Sequence, residues 1–197
     1  MLLAAIAVGY LFGSVPFAFV LSRRWRGIDI RRAGSGNVGA ANVLRTSGVR
    51  AALLVMALDV CKGAGSVLLV QRWAMGEAAP AAAGFAAVIG HVYPVWLRFR
   101  GGKGVATAAG VFSILTPWAM LPVVAVFVVT VWLTRFISLG SIAATVALGP
   151  LAYALHAPPW IVVAAVSVAG VIVFRHRANL VRIWSGTERR IGHRVQV

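Results

Sequence analysis

Two glycine-rich, cationic stretches hold the side chains best suited to chemistry. The first, "GSGNVGAAN" at 34–42, spaces Gly34, Gly36 and Gly39 as the G-x-G-x-x-G of a dinucleotide fingerprint, with Asp59 standing 20 positions after Gly39. That fingerprint needs a strand before it, a helix opening from it and an acidic residue at the end of a second strand. Here "RGIDIRRA" precedes the glycines, apolar runs of membrane-helix length flank the loop, and Asp59 falls inside one of those runs. The nucleotide reading fails on this context, but its anion chemistry survives. Glycines let backbone N–H groups converge on an anion without Cβ obstruction. Ser35, Asn37 and Asn42 add short neutral donors, and Arg45 adds a planar fork matched to phosphate oxygens. The competing reading is a glycine-rich turn whose arginines reach lipid headgroups.

The second stretch, "RFRGGKGVAT" at 98–107, wraps Lys103 in Gly101, Gly102 and Gly104, with Thr107 one turn later. It lacks the GxxxxGK[ST] spacing and the preceding strand of an ATPase loop. Alone, such a lysine is as well explained as a topology anchor. Two such loops on one face make a phosphate or oxyanion pocket the stronger reading.

Other polar residues are fewer. His91 follows Gly90 about two turns before the basic loop and is either a buried hydrogen-bonding residue or a functional one. Ser138 and Ser141 are three apart, as are His176 and Asn179, which Arg182 follows; each pair shares a helical face. Asp59 and Lys62, also three apart inside an apolar run, read as an internal ion pair, because unpaired charge in lipid is costly. With His91 and Glu188 they form the group expected to be structural. His156 and His193 stand in no motif. Only four acids exist (Asp29, Asp59, Glu77, Glu188), with no pair at ligand spacing and no His/Cys cluster around the single Cys61, so no metal is expected. No carboxylate stands where it would orient His91 or His176, so a serine-hydrolase triad is unsupported.

The elements that must position these residues are membrane helices. Of the 197 residues, 60% are hydrophobic and 12% charged, about half the charge of a soluble domain. Apolar runs predict helices over 2–21, 51–71, 80–97, 104–115, 118–134, 138–155 and 159–174; the first lacks the basic n-region of a secretory signal. The 104–115 segment is short for a span. Merging it with its successor across Pro117 and Pro122 would place the basic tail opposite the basic first loop, against the positive-inside tendency. With seven spans, every Lys and Arg except Lys62 and Arg72 falls on one face, the N-terminus lies outside and the tail is cytoplasmic. The net charge of +15 then belongs to the membrane surface rather than to nucleic acid. The loops 34–50, 90–104, 138–141 and 175–189 gather at that cytoplasmic face, marking one site in an all-α polytopic membrane protein, a single integral-membrane domain over 1–197.

Six segments in order, "YLFGSVPFAFVLSR" (10–23), "GSGNVGAANVLRTSG" (34–48), "LDVCKG" (58–63), "GHVYPVWLRFRGGKGVAT" (90–107), "SLGSIAA" (138–144) and "HRANLVRIWSGTERRIG" (176–192), resemble the bacterial acyl-phosphate:glycerol-3-phosphate acyltransferase family. Departures are small: Ala41 replaces an expected threonine, and Gly140 a common serine. The resemblance implies an enzyme of the bacterial inner membrane, without a cofactor. It would move a fatty acyl group from acyl phosphate to the sn-1 hydroxyl of glycerol 3-phosphate, releasing phosphate and forming lysophosphatidic acid. It implies that Ser35, Asn37 and the amides of 36–42, Gly36 and Gly39 included, hold the acyl phosphate. Arg45 and Lys103 would neutralise the phosphates, aided by Gly101, Gly102 and Arg182. Ser141, His176 and Asn179 would place glycerol 3-phosphate, with His176 or a substrate phosphate oxygen as base. The competing classes are a small-anion transporter, which would show an internal repeat and midplane polar groups that this chain lacks, and a lipid-binding scaffold.

Overall fold

Pro16 interrupts the first apolar run. A computed structural model describes residues 1–73 and 76–191, and in it the expected 2–21 helix is two pieces, α1 (Leu2–Ser14) and α2 (Phe17–Arg26). Proline lacks the N–H that would continue the ladder and drives the residue before it out of the helical region. Val15 is accordingly extended, at φ −62° and ψ 116°. The α2 helix then ends on Gly27 in the left-handed conformation behind Arg23, Arg24 and Arg26, cations that complement the negative end of a helix dipole.

The next elements are α3 (Ala40–Ser47), α4 (Val49–Arg72), α5 (Ala79–Val92), α6 (Val105–Leu115), α7 (Pro117–Thr134), α8 (Ile137–Ala154), α9 (Pro159–Arg175) and α10 (Arg177–Trp184). No strand occurs among the described residues. Five of the expected apolar helices stand within two residues of their predicted bounds. The third stops at Val92 because Pro94 follows, and the chain continues as a 3-10 turn over Val95–Leu97. Helices α3 and α10 are additions that apolar runs do not reveal, since each is short and mixes polar with apolar residues.

Among the described residues, five segments are long and apolar enough to cross a membrane: Leu2–Arg26, Val49–Arg72, Ala79–Leu97, Pro117–Thr134 and Ile137–Ala154. The pair α9 and α10, bent by 56°, makes a sixth if taken as one broken span. Val105–Leu115 is apolar but shorter; its 11 residues would rise about 16 Å against a ~30 Å hydrocarbon core. The chain is a multi-pass helical membrane protein.

The chain divides into two compact units, one holding Met1–Ile114 and the other the described residues from Leu115 onward. In the first unit, α1 lies against α5 with backbones almost touching. A Cβ at Gly9 or Gly13 would strike the Ala83 or Ala87 backbone, and one at Gly90 would strike the Tyr10 carbonyl. Small residues at such crossings let dispersion and close approach replace the hydrophobic drive that lipid removes. The Tyr10 hydroxyl also donates to the Tyr93 carbonyl at 2.8 Å, tying the two helices at one end. Helix α4 packs on both α1 and α5. The loop between α2 and α4 has its own apolar base, in which Ile30, Val38 and Val43 bury against Ala18, Ala52, Val55 and Leu97.

In the second unit α7 packs on α8 and α8 on α9. The outer face of α7 exposes Trp118, Leu121, Val128 and Trp132, as a lipid-facing helix should.

Candidate functional site

The 34–42 loop is folded around one side chain. Asn42, buried in the first turn of α3, accepts the Ser35 backbone N–H on Oδ1 at 2.8 Å and donates from Nδ2 to the carbonyls of Ile30, Ala33 and Asn37 at 3.2, 3.0 and 3.1 Å. Gly34 (φ +61°) and Gly36 (φ +70°) take the left-handed turns that this wrapping requires, and a Cβ at Gly34 would collide with the Asn42 amide. The expectation that Asn42 donates to a ligand is therefore corrected: its amide is engaged in shaping the loop, because the turns leave the Ile30, Ala33 and Asn37 carbonyls pointing inward. The Gly36 and Gly39 N–H groups are likewise turned inward, to Ala33 O and Asn37 O. Ser35 is exposed at the loop surface, and Asn37 and Arg45 are half-buried. Upstream, Asp29 caps the 3-10 turn Ile30–Arg32 and pairs with Arg31 at 2.7 Å. The Arg31 hydrogen bond holds its carboxyl down at about 2.

The 98–104 loop is glycine-rich for a different reason from the one its sequence suggests. The N–H groups of Gly101 and Gly102 donate to Val92 O and His91 O, each at 3.1 Å, so these amides terminate α5 rather than point at an anion. A Cβ at Gly101 would strike His91 O and Pro94. One at Gly102 would strike the His91 ring and the Val38 carbonyl. Glycine is required here because α5 and the first loop close on this backbone from two sides. The two cationic loops thus meet, with Val38 of one against Gly102 of the other. Lys103 follows, half-buried, and Gly104 (φ +90°) opens α6.

Beneath them lies a polar cluster inside the helices. Lys62 Nζ pairs with Asp59 Oδ1 at 2.8 Å, as their spacing on α4 predicts, and also donates to Val15 O at 2.8 Å, the carbonyl released at the Pro16 break. His91 Nδ1 lies 3.5 Å from the same Asp59 oxygen. This corrects the expectation that no carboxylate orients either histidine. The signal was a register: Asp59 lies 13 residues before the end of α4, and His91 lies 12 residues after the start of α5. Two helices joined by a short connection bring such positions side by side.

In the second unit, Glu188 is the centre. Its Oε1 accepts Ser138 Oγ at 2.7 Å and Asn179 Nδ2 at 2.6 Å, and its Oε2 accepts Arg182 Nε at 2.7 Å. Burial pushes this carboxyl up, but the hydrogen bonds from Ser138, Asn179 and Arg182 outweigh it and hold Glu188 below the ordinary glutamate range. Arg182, expected on a substrate phosphate, here presents its Nε to Glu188. His176 is buried at the joint between α9 and α10, with Nδ1 2.8 Å from Ile172 O. A carbonyl only accepts, so Nδ1 carries a hydrogen, which in the neutral ring makes Nε2 the basic nitrogen. Asn179 N–H donates to His176 O at 2.8 Å, fixing the two residues together. Ser141 is buried and donates to Ile137 O at 2.8 Å. His156 stands at a helix end with φ +57°, and His193 lies outside the described residues. Among the described residues no three His, Cys, Asp or Glu gather into a group that could hold a metal.

Residues 3–186 match the model of a family described as glycerol-3-phosphate acyltransferase. Glycerol-3-phosphate acyltransferase 1 of Deinococcus radiodurans is 44% identical over 193 residues, 98% of this chain and 97% of that one. The glycerol-3-phosphate acyltransferase of Syntrophotalea carbinolica is 44% identical over 191 residues, 96% and 95% of the two chains. Two crystal structures of PlsY (YgiH), an integral membrane glycerol 3-phosphate acyltransferase, are also similar. Its glycerol 3-phosphate form has a TM-score of 0.91 at 36% identity, covering 97% of this chain and 96% of that one. Its lysophosphatidic acid form has a TM-score of 0.89 at the same identity, covering 97% and 95%.

Proposed function

Because the chain belongs to the glycerol-3-phosphate acyltransferase family, we propose that it transfers a fatty acyl group from acyl phosphate to the sn-1 hydroxyl of glycerol 3-phosphate. The observation that carries the donor assignment is the meeting of two cationic glycine-rich loops at Val38 and Gly102. That junction suits a substrate pair in which both members carry phosphate. The chain works as one domain of seven spans in the bacterial inner membrane, N-terminus outside, with the site at the cytoplasmic face, where the basic loops and an acyl chain leaving the lipid meet.

Acyl phosphate is a mixed anhydride and already activated, so the protein supplies no nucleophile. The glycerol hydroxyl oxygen bonds to the acyl carbon, the bond from that carbon to the phosphate oxygen breaks, and phosphate leaves with the electron pair. The protein's task is to hold two mutually repelling dianions together and stabilise the oxyanion between them. Ser35 and Asn37, on the loop that Asn42 shapes, face the acyl phosphate, and Arg45 and Lys103 offset the charge. Ser141 and Asn179 place the acceptor, and His176 Nε2 takes the hydroxyl proton.

Purified protein in detergent, given acyl phosphate and glycerol 3-phosphate, should release phosphate only when both are present. Absence of release would sink the enzyme reading in favour of a small-anion transporter. His176→Ala should lower turnover by about 100-fold or more, the usual contribution of a positioned base. Near wild-type turnover in that variant would move the proton to a substrate phosphate oxygen.

A further inference from the structure

The Asp59–Lys62–His91 cluster has no part in the reaction sequence above. It is an expensive feature, because ion pairs held away from water contribute little to stability and charge within lipid-spanning helices is disfavoured. Its members are 2%, 4% and 7% exposed. The cavity among them, bordered by Ser14, Phe17 and Val38, measures about 10 Å³, room for about one water.

Each member instead reaches a different segment. Lys62 holds the Val15 carbonyl at the Pro16 break, and Asp59 joins Lys62 to His91. The His91 carbonyl takes the Gly102 N–H, and its ring and the Val38 carbonyl both fill the space that a Gly102 Cβ would need. Lys103 is the next residue along the chain. Resting on the reading in which Lys103 offsets substrate phosphate charge, we propose that Asp59, Lys62 and His91 are positioning residues for the known reaction of the family. They lock Gly102 against Val38 and so set where Lys103 stands relative to the 34–42 loop. The cluster touches no substrate and acts through the backbone of the second loop.

A double-mutant cycle on the full-length protein in detergent tests this, with acyl transfer from acyl phosphate to glycerol 3-phosphate as the readout and thermal unfolding beside it. His91→Ala should lower kcat/KM about 30-fold in the wild-type background but less than about 3-fold in Lys103→Met, because residues acting through one another are not additive. Most of the single-variant loss should be in KM for a phosphate-bearing substrate rather than in kcat. Losses that multiply in the double variant would overturn the proposal, since a merely structural defect has no reason to vanish when Lys103 is gone. Asp59→Asn, nearly isosteric, should show the same coupling to Lys103→Met, and it decides the matter if His91→Ala yields no folded protein. The underlying reading is tested separately by Lys103→Met alone. Full activity in that variant would remove Lys103 from the phosphate site, whereas an impaired Lys103→Met with additive His91 effects would overturn the positioning role only.

Discussion

Glu188→Gln is the substitution whose consequences follow most directly from the geometry. The carboxylate is 3% exposed and accepts from Ser138, Asn179 and Arg182. Glutamine keeps the shape and one acceptor oxygen but turns an NH2 toward one of these donors and removes the charge. The two buried bonds are to an ionised acceptor, of the kind worth about 1.5–3 kcal/mol each. The Arg182 partner is 42% exposed, so its ion pair adds about 1 kcal/mol at most. With one oxygen retained, the net loss is about 2–4 kcal/mol, which in a chain of this size lowers Tm by on the order of 10 °C. Differential unfolding in detergent measures it. The pH dependence supplies a second reading with a definite sign. A carboxyl held below its unfolded value of about 4.3 stabilises the fold above that pH and loses this contribution as pH falls through its folded value. Wild type should therefore weaken below about pH 4 more steeply than Glu188→Gln. Activity should fall as well, because Asn179 loses the partner that orients it. A variant with unchanged Tm and an unchanged acid limb would refute the view that Glu188 anchors α8 and α10 through a charged, buried acceptor.

Other substitutions probe separate links. Asn42→Ala removes four hydrogen bonds from the 34–42 loop and should cost about 2–3 kcal/mol in chemical denaturation, with a loss of activity that Asn42→Asp does not restore, because the amide donors are what the three carbonyls need. Gly13→Ala drives a Cβ into the Ala87 backbone and should lower Tm markedly. Gly170→Ala meets nothing within 4 Å on α9 and should raise stability by up to about 1 kcal/mol through helix propensity.

Most of the helical scaffold was readable because apolar runs and prolines act locally. The runs beginning near 51, 80, 104, 118, 138 and 159 became helices with small boundary shifts. The Pro16 break was equally local but was masked by the continuity of the apolar run around it. The ion pair of Asp59 and Lys62 followed from helical spacing alone. The sites were harder to read because glycine and asparagine are ambiguous. The same Gly101–Gly102 pair suits an anion cradle or a close crossing of backbones, and only the position of His91 and Val38 decides between them. Asn42 could donate outward or inward, and the left-handed turns at Gly34 and Gly36 settle its direction. Glu188, met as an isolated acid in a basic tail, pairs not only with nearby Asn179 and Arg182 but with Ser138, fifty residues away. Long-range pairing of this kind leaves no periodic trace in a single chain.

Attack at the acyl carbon rather than at the phosphorus is the step on which the proposed reaction turns. It is tested by giving the purified protein labelled glycerol 3-phosphate together with acyl phosphate carrying 18O in the bridging oxygen, and analysing both products by mass spectrometry. Labelled 1-acyl-glycerol 3-phosphate should form, with all of the bridging 18O in the released phosphate. Bridging 18O retained in free fatty acid, with no acylated glycerol 3-phosphate formed, would contradict it.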